Sequence, residues 1–434
     1  MGWAMGLPPL KICEKIQLMS ANKQFSVRAV HSDWRADDET VYQNLKRATQ
    51  PLTRAWDKLR HAKRIAIKFN QDKEARNHVT WHQHRVQLVS DSVARATLRL
   101  LRENTRAELF AVDVSFYRHY VPEAKDEDTT QMRHIFREFD VNYIDGNVDV
   151  VWTKVPGGGL MFDAYPVTRE FSDMDQWVSV QKLKNHAFMG VTLCMKNLFG
   201  LMPTEPLGRP RTYYHHLVRM PYMLADLGRL YKPALNIIDG MVCQAGEEWG
   251  KGEERRIANT LVAGDHVVAT DAVGAHLMGH DITLGDWKTE PFHRDRNSLR
   301  VAAEAGFGTV DLKEIDYASE VTAPVGDRPF FAKITDSQST VHNWRKTTAE
   351  QGLFYRDHSA QITRTYTGEY ILLQMGKVKW HDPSGTVGAS RRILSGDHPE
   401  QAMWMKYVDP HDAEGEHFEV YERTLREINA LELA

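Results

Sequence analysis

Cysteine is scarce in this chain: three in 434 residues, Cys13, Cys194 and Cys243, far apart and with no Cys-x-x-Cys pair. That spacing argues against a disulfide framework and excludes a four-cysteine zinc or iron–sulfur site within the chain. No apolar run approaches the roughly 18–20 residues of a membrane-spanning helix. The opening MGWAMGLPPLKICEKIQLMS is broken by Pro8, Pro9, Lys11, Glu14 and Lys15 and lacks a signal-peptide core. Nor is either charge in surplus, since 55 Lys+Arg against 58 Asp+Glu leave a formal net charge of -3. Such a balance argues against a surface built for nucleic acid or anionic membrane. The expectation is a cytoplasmic protein with neither as a partner. A P-loop, a dinucleotide fingerprint and a Gly-x-Ser-x-Gly elbow are all missing, and Gly157-Gly-Gly159 is too short to replace them.

What is present is material for a sizeable core, with 42% hydrophobic residues. Residues 1–61 read as a helical N-terminal segment, with apolar positions at wide helical spacing. A strand at 64–70, a helix at 86–102 and a strand at 108–114 then make a strand–helix–strand unit, the usual sign of a parallel sheet. Strands are expected again at 147–152, 177–184 and 234–239. Helices are expected at 190–200, with glycine at each end, and from Thr270 to Met278 after a strand-like 260–264. The fold class is therefore α/β, a mostly parallel sheet with flanking helices, over a core domain of 62–325. Residues 326–434 read as a smaller β-rich extension. Antiparallel strands are expected at 362–375 and 377–380, and a loop follows at 382–390. Phe418, Tyr421, Leu425, Ile428 and Leu431 then define an amphipathic last helix expected to dock on its own chain.

The densest polar constellation runs from Val178 to Gly200. On a pleated strand Val178, Val180, Lys182, Lys184 and His186 share one face, with the charges at the carboxyl end, where open parallel sheets bind ligands. Thr192 and Lys196 stand four residues apart beyond the turn. Lysines, a histidine and a helix start converge naturally on phosphate or carboxylate. The bland reading keeps the lysines solvated and gives His186 a capping role. Asp239 and Asp271, at a strand end and a helix start, could hold a divalent cation or act as a base, whereas Asp265 suits a turn. His78, His82 and His84 have metal-ligand spacing but need a third ligand from elsewhere. The basic, aromatic stretch 209–216, ending in His215 and His216, could close over an anion or serve as a linker.

Lys182-Leu-Lys-Asn-His186 running into Thr192-Leu-Cys-Met-Lys-Asn-Leu-Phe-Gly200 resembles the hallmark of the family called domain of unknown function 362, DUF362. Ile67-Lys-Phe-Asn70, Ile238-Asp-Gly240, Ala263-Gly-Asp265 and Asp271-Ala-Val273 are similar to its further motifs, with Phe69 where the family usually has proline. The resemblance covers about residues 62–310 and implies a site that also includes Lys68, Asn70 and Asn197. The ferredoxin-type cysteine runs that family members often append are missing, so no iron–sulfur cluster is expected and an electron-transfer role is disfavoured. The family's Glu-Gly-x-Gly-Pro is replaced by Ala245-Gly-Glu-Glu-Trp-Gly-Lys-Gly252, and its Asp-Pro by Asp265-His266.

The resulting expectation is an enzyme acting on a small anionic substrate, with a divalent metal left open and no cofactor identified. Lys182, Lys184 and Lys196 would neutralise substrate oxygens and His186 would transfer a proton. Asn70 and Asn197 would orient the substrate, with Thr192, Lys68, His215 and His216 as further contacts. Asp239 or Asp271 would serve as base or hold the cation. The alternative is a non-catalytic protein that holds an anionic ligand in the same pocket. A homo-oligomer is left open.

Overall fold

The structure is a computed structural model that describes residues 23–71, 79–146, 149–204, 209–248, 254–283, 285, 287–384, 398 and 404–432. Its main sheet is built from β1 (Phe25–His31), β2 (Arg64–Phe69), β3 (Glu108–Asp113), β4 (Asn142–Asp145), β5 (Gln176–His186), β6 (Gly190–Thr192), β7 (Leu235–Gln244), β8 (Arg255–Gly264) and β9 (Ile315–Ser319). The order across the sheet is β9-β1-β8-β7-β5-β2-β3-β4, with β6 folded back on β5. From β7 to β4 all neighbours are parallel, Ile67 standing opposite Val178 on one side and Ala111 on the other. Strand β8 runs antiparallel to both β7 and β1, and β9 is parallel to β1.

Strands covered on both faces need apolar residues on both faces. In β2 every residue after Arg64 is buried, and β7 is buried throughout. One face lies under α1 (Asp38–Thr49), α2 (Thr53–His61) and α3 (Asp91–Asn104), whose Val41, Leu45, Leu59 and Leu98 meet Ile65, Ile67, Val178 and Ile237. Asp37 caps α1 by accepting the Thr40 N–H, and acidic first and basic last turns complement the helix dipole. The other face is covered by α4 (Cys194–Asn197), α5 (Arg219–Tyr231), α6 (Val267–Leu277) and α7 (Ser298–Glu304). Beyond it stand the 29-residue α8 (Gln338–Tyr366), a small sheet of β10 (Tyr370–Gln374), β11 (Lys377–Asp382) and β12 (Trp404–Tyr407), and α9 (Glu419–Glu432). A buried ionic network, Arg219 with Glu416 and Lys406 with Glu414 and Glu416, joins this region to α5.

Several local expectations need correction. The N-terminal segment is helical only in part, because β1 lies inside the main sheet, held by pairing with β8 and β9 far along the chain. Residues 190–200 are not one helix: Gly190 takes a φ of 75° at a hairpin turn, and only 194–197 are α-helical, followed by one 3-10 turn. The strand near 150 spans Val150–Lys154 and pairs with Ala164–Thr168 outside the main sheet. Residues 362–366, read as strand from their β-branched and aromatic content, complete α8, where Tyr355 and Ile362 are buried on one face. The 382–390 loop lies mostly outside the described residues.

Candidate functional site

A cavity of about 640 Å³ opens at the carboxyl ends of β2, β3 and β5, the end at which parallel sheets present loops and helix starts to ligands. Lys68 and Asn70 reach it from β2 and Asp113 from β3. Gln181 and His186 come from β5, and Thr192, Lys196 and Asn197 from β6 and α4. Phe116, Phe199, Arg211 and His215 complete much of the wall.

Its cationic end is organised around one carboxylate. Glu248, in the loop after β7, lies 2.8 Å from Lys184 Nζ, 3.1 Å from His186 Nε2 and 3.8 Å from Lys196 Nζ. The Thr192 hydroxyl donates to it at 3.4 Å. Burial alone would push Glu248 up, but Lys184 and Lys196 hold its carboxyl well below the usual range. Burial lowers the affinity of Lys196 for its proton, and Glu248 opposes that shift. His186 is pushed down by burial and by Lys196. Its Nδ1 accepts the backbone N–H groups of Phe188 and Met189, at 3.0 and 3.2 Å. The ring proton therefore sits on Nε2, which donates to Glu248. A neutral imidazole held this way offers a hydrogen bond and cannot take a second proton without breaking both backbone contacts.

At the other end Lys68 pairs with Asp113 at 3.0 Å and donates to the Phe69 carbonyl. Asp113 is raised by burial, against the pull of Lys68. Asn197 ties α4 to the sheet, its Nδ2 donating to the Lys68 and Val180 carbonyls and to Ser179 Oγ. Gly200 lets Lys68 pass, since a Cβ there would stand 2.8 Å from Lys68 Cε.

The sequence-derived candidates thus divide. Lys68, Asn70, His186, Thr192, Lys196, Asn197 and His215 come together on the cavity wall. Lys184 stands behind it, holding Glu248 and the Gln87 carbonyl. Lys182 does not reach the cavity, because it shares the face of Val178 and Val180 under the helical layer and pairs with Asp239 at 2.8 Å. Asp239 is fully buried and also accepts the N–H and hydroxyl of Ser90. Asp271 accepts the Cys194 and Met195 N–H groups at the start of α4 and is raised by burial to about 7. Neither aspartate lines the cavity, so the expected base or cation holder at these positions is a structural anchor. His216 is buried away from the cavity, with Nδ1 close to the Leu217 carbonyl. Asp265, between β8 and α6, makes its side-chain contacts far along the chain, accepting the Ser26 N–H and pairing with Arg54. His78 lies outside the described residues, while His82 and His84 pack against Trp34. Among the described residues no three His, Cys, Asp or Glu side chains gather as a metal-binding set.

Sequence reasoning missed Glu248 and Asp113, and it reached Arg211 only as part of the basic stretch 209–216. The signal for Glu248 was its place in the loop that departs from the family pattern, opposite a cluster of lysines that needed an anion once buried.

Residues 65–276 match the family described as Domain of unknown function (DUF362). That stretch is similar to a DUF362 domain. Every cavity residue named above falls within that stretch. "Thylakoid-associated protein sll1697" of Synechocystis sp. (strain ATCC 27184 / PCC 6803 / Kazusa) is 30% identical to this chain over 125 residues. That alignment spans 28% of the chain and 37% of the relative, so the chain covers little more than a third of that protein's length. No solved structure matches. Among the described residues no helix is long and apolar enough to cross a membrane.

Proposed function

We propose that the DUF362 cavity binds a small organic anion and acts on it as an enzyme. The observation that carries this reading is the seat of Glu248, a carboxylate held where Lys184, His186, Thr192 and Lys196 converge. A wall that holds an internal carboxylate has the donors and charge to hold a ligand's. Lys196 and Lys68 neutralise ligand oxygens. When a ligand oxygen takes the place of the Glu248 carboxylate, the Nε2–H of His186 turns from Glu248 to that oxygen, a role suited to a fixed neutral imidazole. Lys196, with its proton loosened by burial, is the proton carrier of the site. Asn70 and Gln181 orient the ligand from the sheet side. The setting we propose is the cytoplasm, supported by the three scattered cysteines.

A non-catalytic anion-binding protein is the second reading. It is favoured by the acidity of Glu248 and the committed Nδ1 of His186, which leave neither as a base poised near neutral pH. Titration calorimetry with acetate and inorganic phosphate on the wild type, Lys196→Ala and His186→Gln tests the shared premise. Loss of one charged contact lowers affinity by about 10-fold or more. Unchanged affinity in both variants refutes the anion site. Saturable binding with no turnover of an organic-acid mixture, followed by mass spectrometry, selects the second reading.

A further inference from the structure

The cavity of about 640 Å³ is much larger than a lone carboxylate requires, and one side of the wall beyond the Glu248 cluster gathers flat groups, the polar side chains of Lys68, Asn70, Asp113 and Gln181 standing on the sheet side. Phe116, on the segment after β3, lines it while remaining 39% exposed, unusual for so large an apolar side chain here. The guanidinium of Arg211 lies 4.7 Å from the Phe116 ring centre and 5.8 Å from that of Phe199. Its Nε and Nη2 donate to the carbonyls of Met202, Val114 and Gly200. Those bonds fix the guanidinium plane and commit these edges to the backbone, so Arg211 contributes a flat cationic surface more than a fork for ligand oxygens. His215 stands 5.7 Å from Phe199 and 6.3 Å from His186, which carries the flat surface back to the cationic end.

We infer that the ligand is a planar aromatic carboxylate, its carboxylate at Lys196 and His186 and its ring against Phe116, Arg211, Phe199 and His215. The inference rests on the reading of the cavity as an anion site and adds the class of molecule. Aromatic rings gain from offset contact with other rings and from proximity to a cation, beyond the gain from burying the same area. An aliphatic ring of equal charge and similar size forgoes that gain.

Benzoate and cyclohexanecarboxylate are the matched probes, each titrated calorimetrically into the full chain. Benzoate is expected to bind about 10-fold tighter, the order of one good ring contact. Phe116→Leu, at an exposed position, is expected to bring the two affinities within about 3-fold while leaving cyclohexanecarboxylate nearly unchanged. Its thermal unfolding, compared with the wild type, verifies that the fold is intact. Equal affinities in the wild type overturn the aromatic inference and leave the anion site standing. A benzoate preference that survives Phe116→Leu overturns the assigned wall. Absence of saturable binding by either probe overturns both readings.

Discussion

Glu248→Ala removes the carboxylate on which the cations of the cavity converge, and burial decides how much that matters. An exposed ion pair contributes about 0–1 kcal/mol. Here the side chains of Lys184 and Glu248 are only 1% and 8% exposed at 2.8 Å, and Lys196 is 12% exposed. Removing one partner of such a pair leaves an uncompensated buried charge and destabilises by about 3–5 kcal/mol. Lys196 can recover part of this by releasing a proton that burial has already loosened. The loss should therefore be larger at pH 6 than at pH 9. Glu248→Gln keeps the shape without the charge and should fall within about 1 kcal/mol of the alanine variant if charge, and not packing, dominates. Urea unfolding followed by circular dichroism measures both.

Added acetate or inorganic phosphate should then stabilise Glu248→Ala more than the wild type. At 100 times its dissociation constant, a ligand adds about 2.7 kcal/mol. Acid pH supplies an independent limb. Glu248 is held well below its ordinary 4.5, so the folded chain binds fewer protons than the unfolded one in that range. Its contribution is present above pH 4.5 and is lost as pH falls below that value, a slope Glu248→Gln should lack. A loss under about 1 kcal/mol in both variants, with no anion rescue, would refute the account of this cluster.

Lys182→Met strips Asp239 of its partner across a 2.8 Å pair that is 1% and 0% exposed. It should destabilise by about 3–5 kcal/mol, and a double-mutant cycle with Asp239→Asn should recover a large part; strict additivity would contradict the pairing. Asp271, raised by burial from 3.8 to about 7, keeps its proton in the fold while the unfolded chain releases it. Its contribution is full below pH 3.8 and is lost as pH rises to about 7, a decline on the order of 4 kcal/mol that Asp271→Asn should flatten in pH-dependent denaturation. Gly200→Ala would press on Lys68 Cε at 2.8 Å, costing about 1–3 kcal/mol and weakening phosphate binding; wild-type values for both would mean Lys68 is not held there.

The parallel half of the sheet was legible because doubly buried strands write continuous apolar runs, as in β2 and β7. What escaped was held by partners distant in sequence. Strand β1 owes its place to β8 and β9, and nothing in FSVRAVH names them. Gly190 looked like a helix boundary, but its left-handed backbone belongs to a turn, and a Cβ there would lie 2.8 Å from Phe292 Cδ1. In the C-terminal region β-branched composition outweighed the helical spacing of Tyr355 and Ile362, although burial along one face of α8 decides the structure.

The site was legible as chemistry and not as direction. Alternation along β5 groups Val178, Val180, Lys182, Lys184 and His186, yet His186, at the strand end, reaches the cavity while Lys182 does not, and a period of two cannot say which face of the sheet the set takes. Their shared face lies under the helical layer, so Lys182 is consumed by Asp239 while Gln181, from the opposite set, reaches the cavity. A further constraint was available without coordinates. Two lysines on a strand otherwise buried on both faces must each find a carboxylate or expel their charge. Asp239 answers for Lys182, and for Lys184 the acidic pair in the loop after β7 was the nearest supply. Counting buried cations before assigning them to a ligand would therefore have put Glu248 in the site, and removed Lys182 and Asp239 from it.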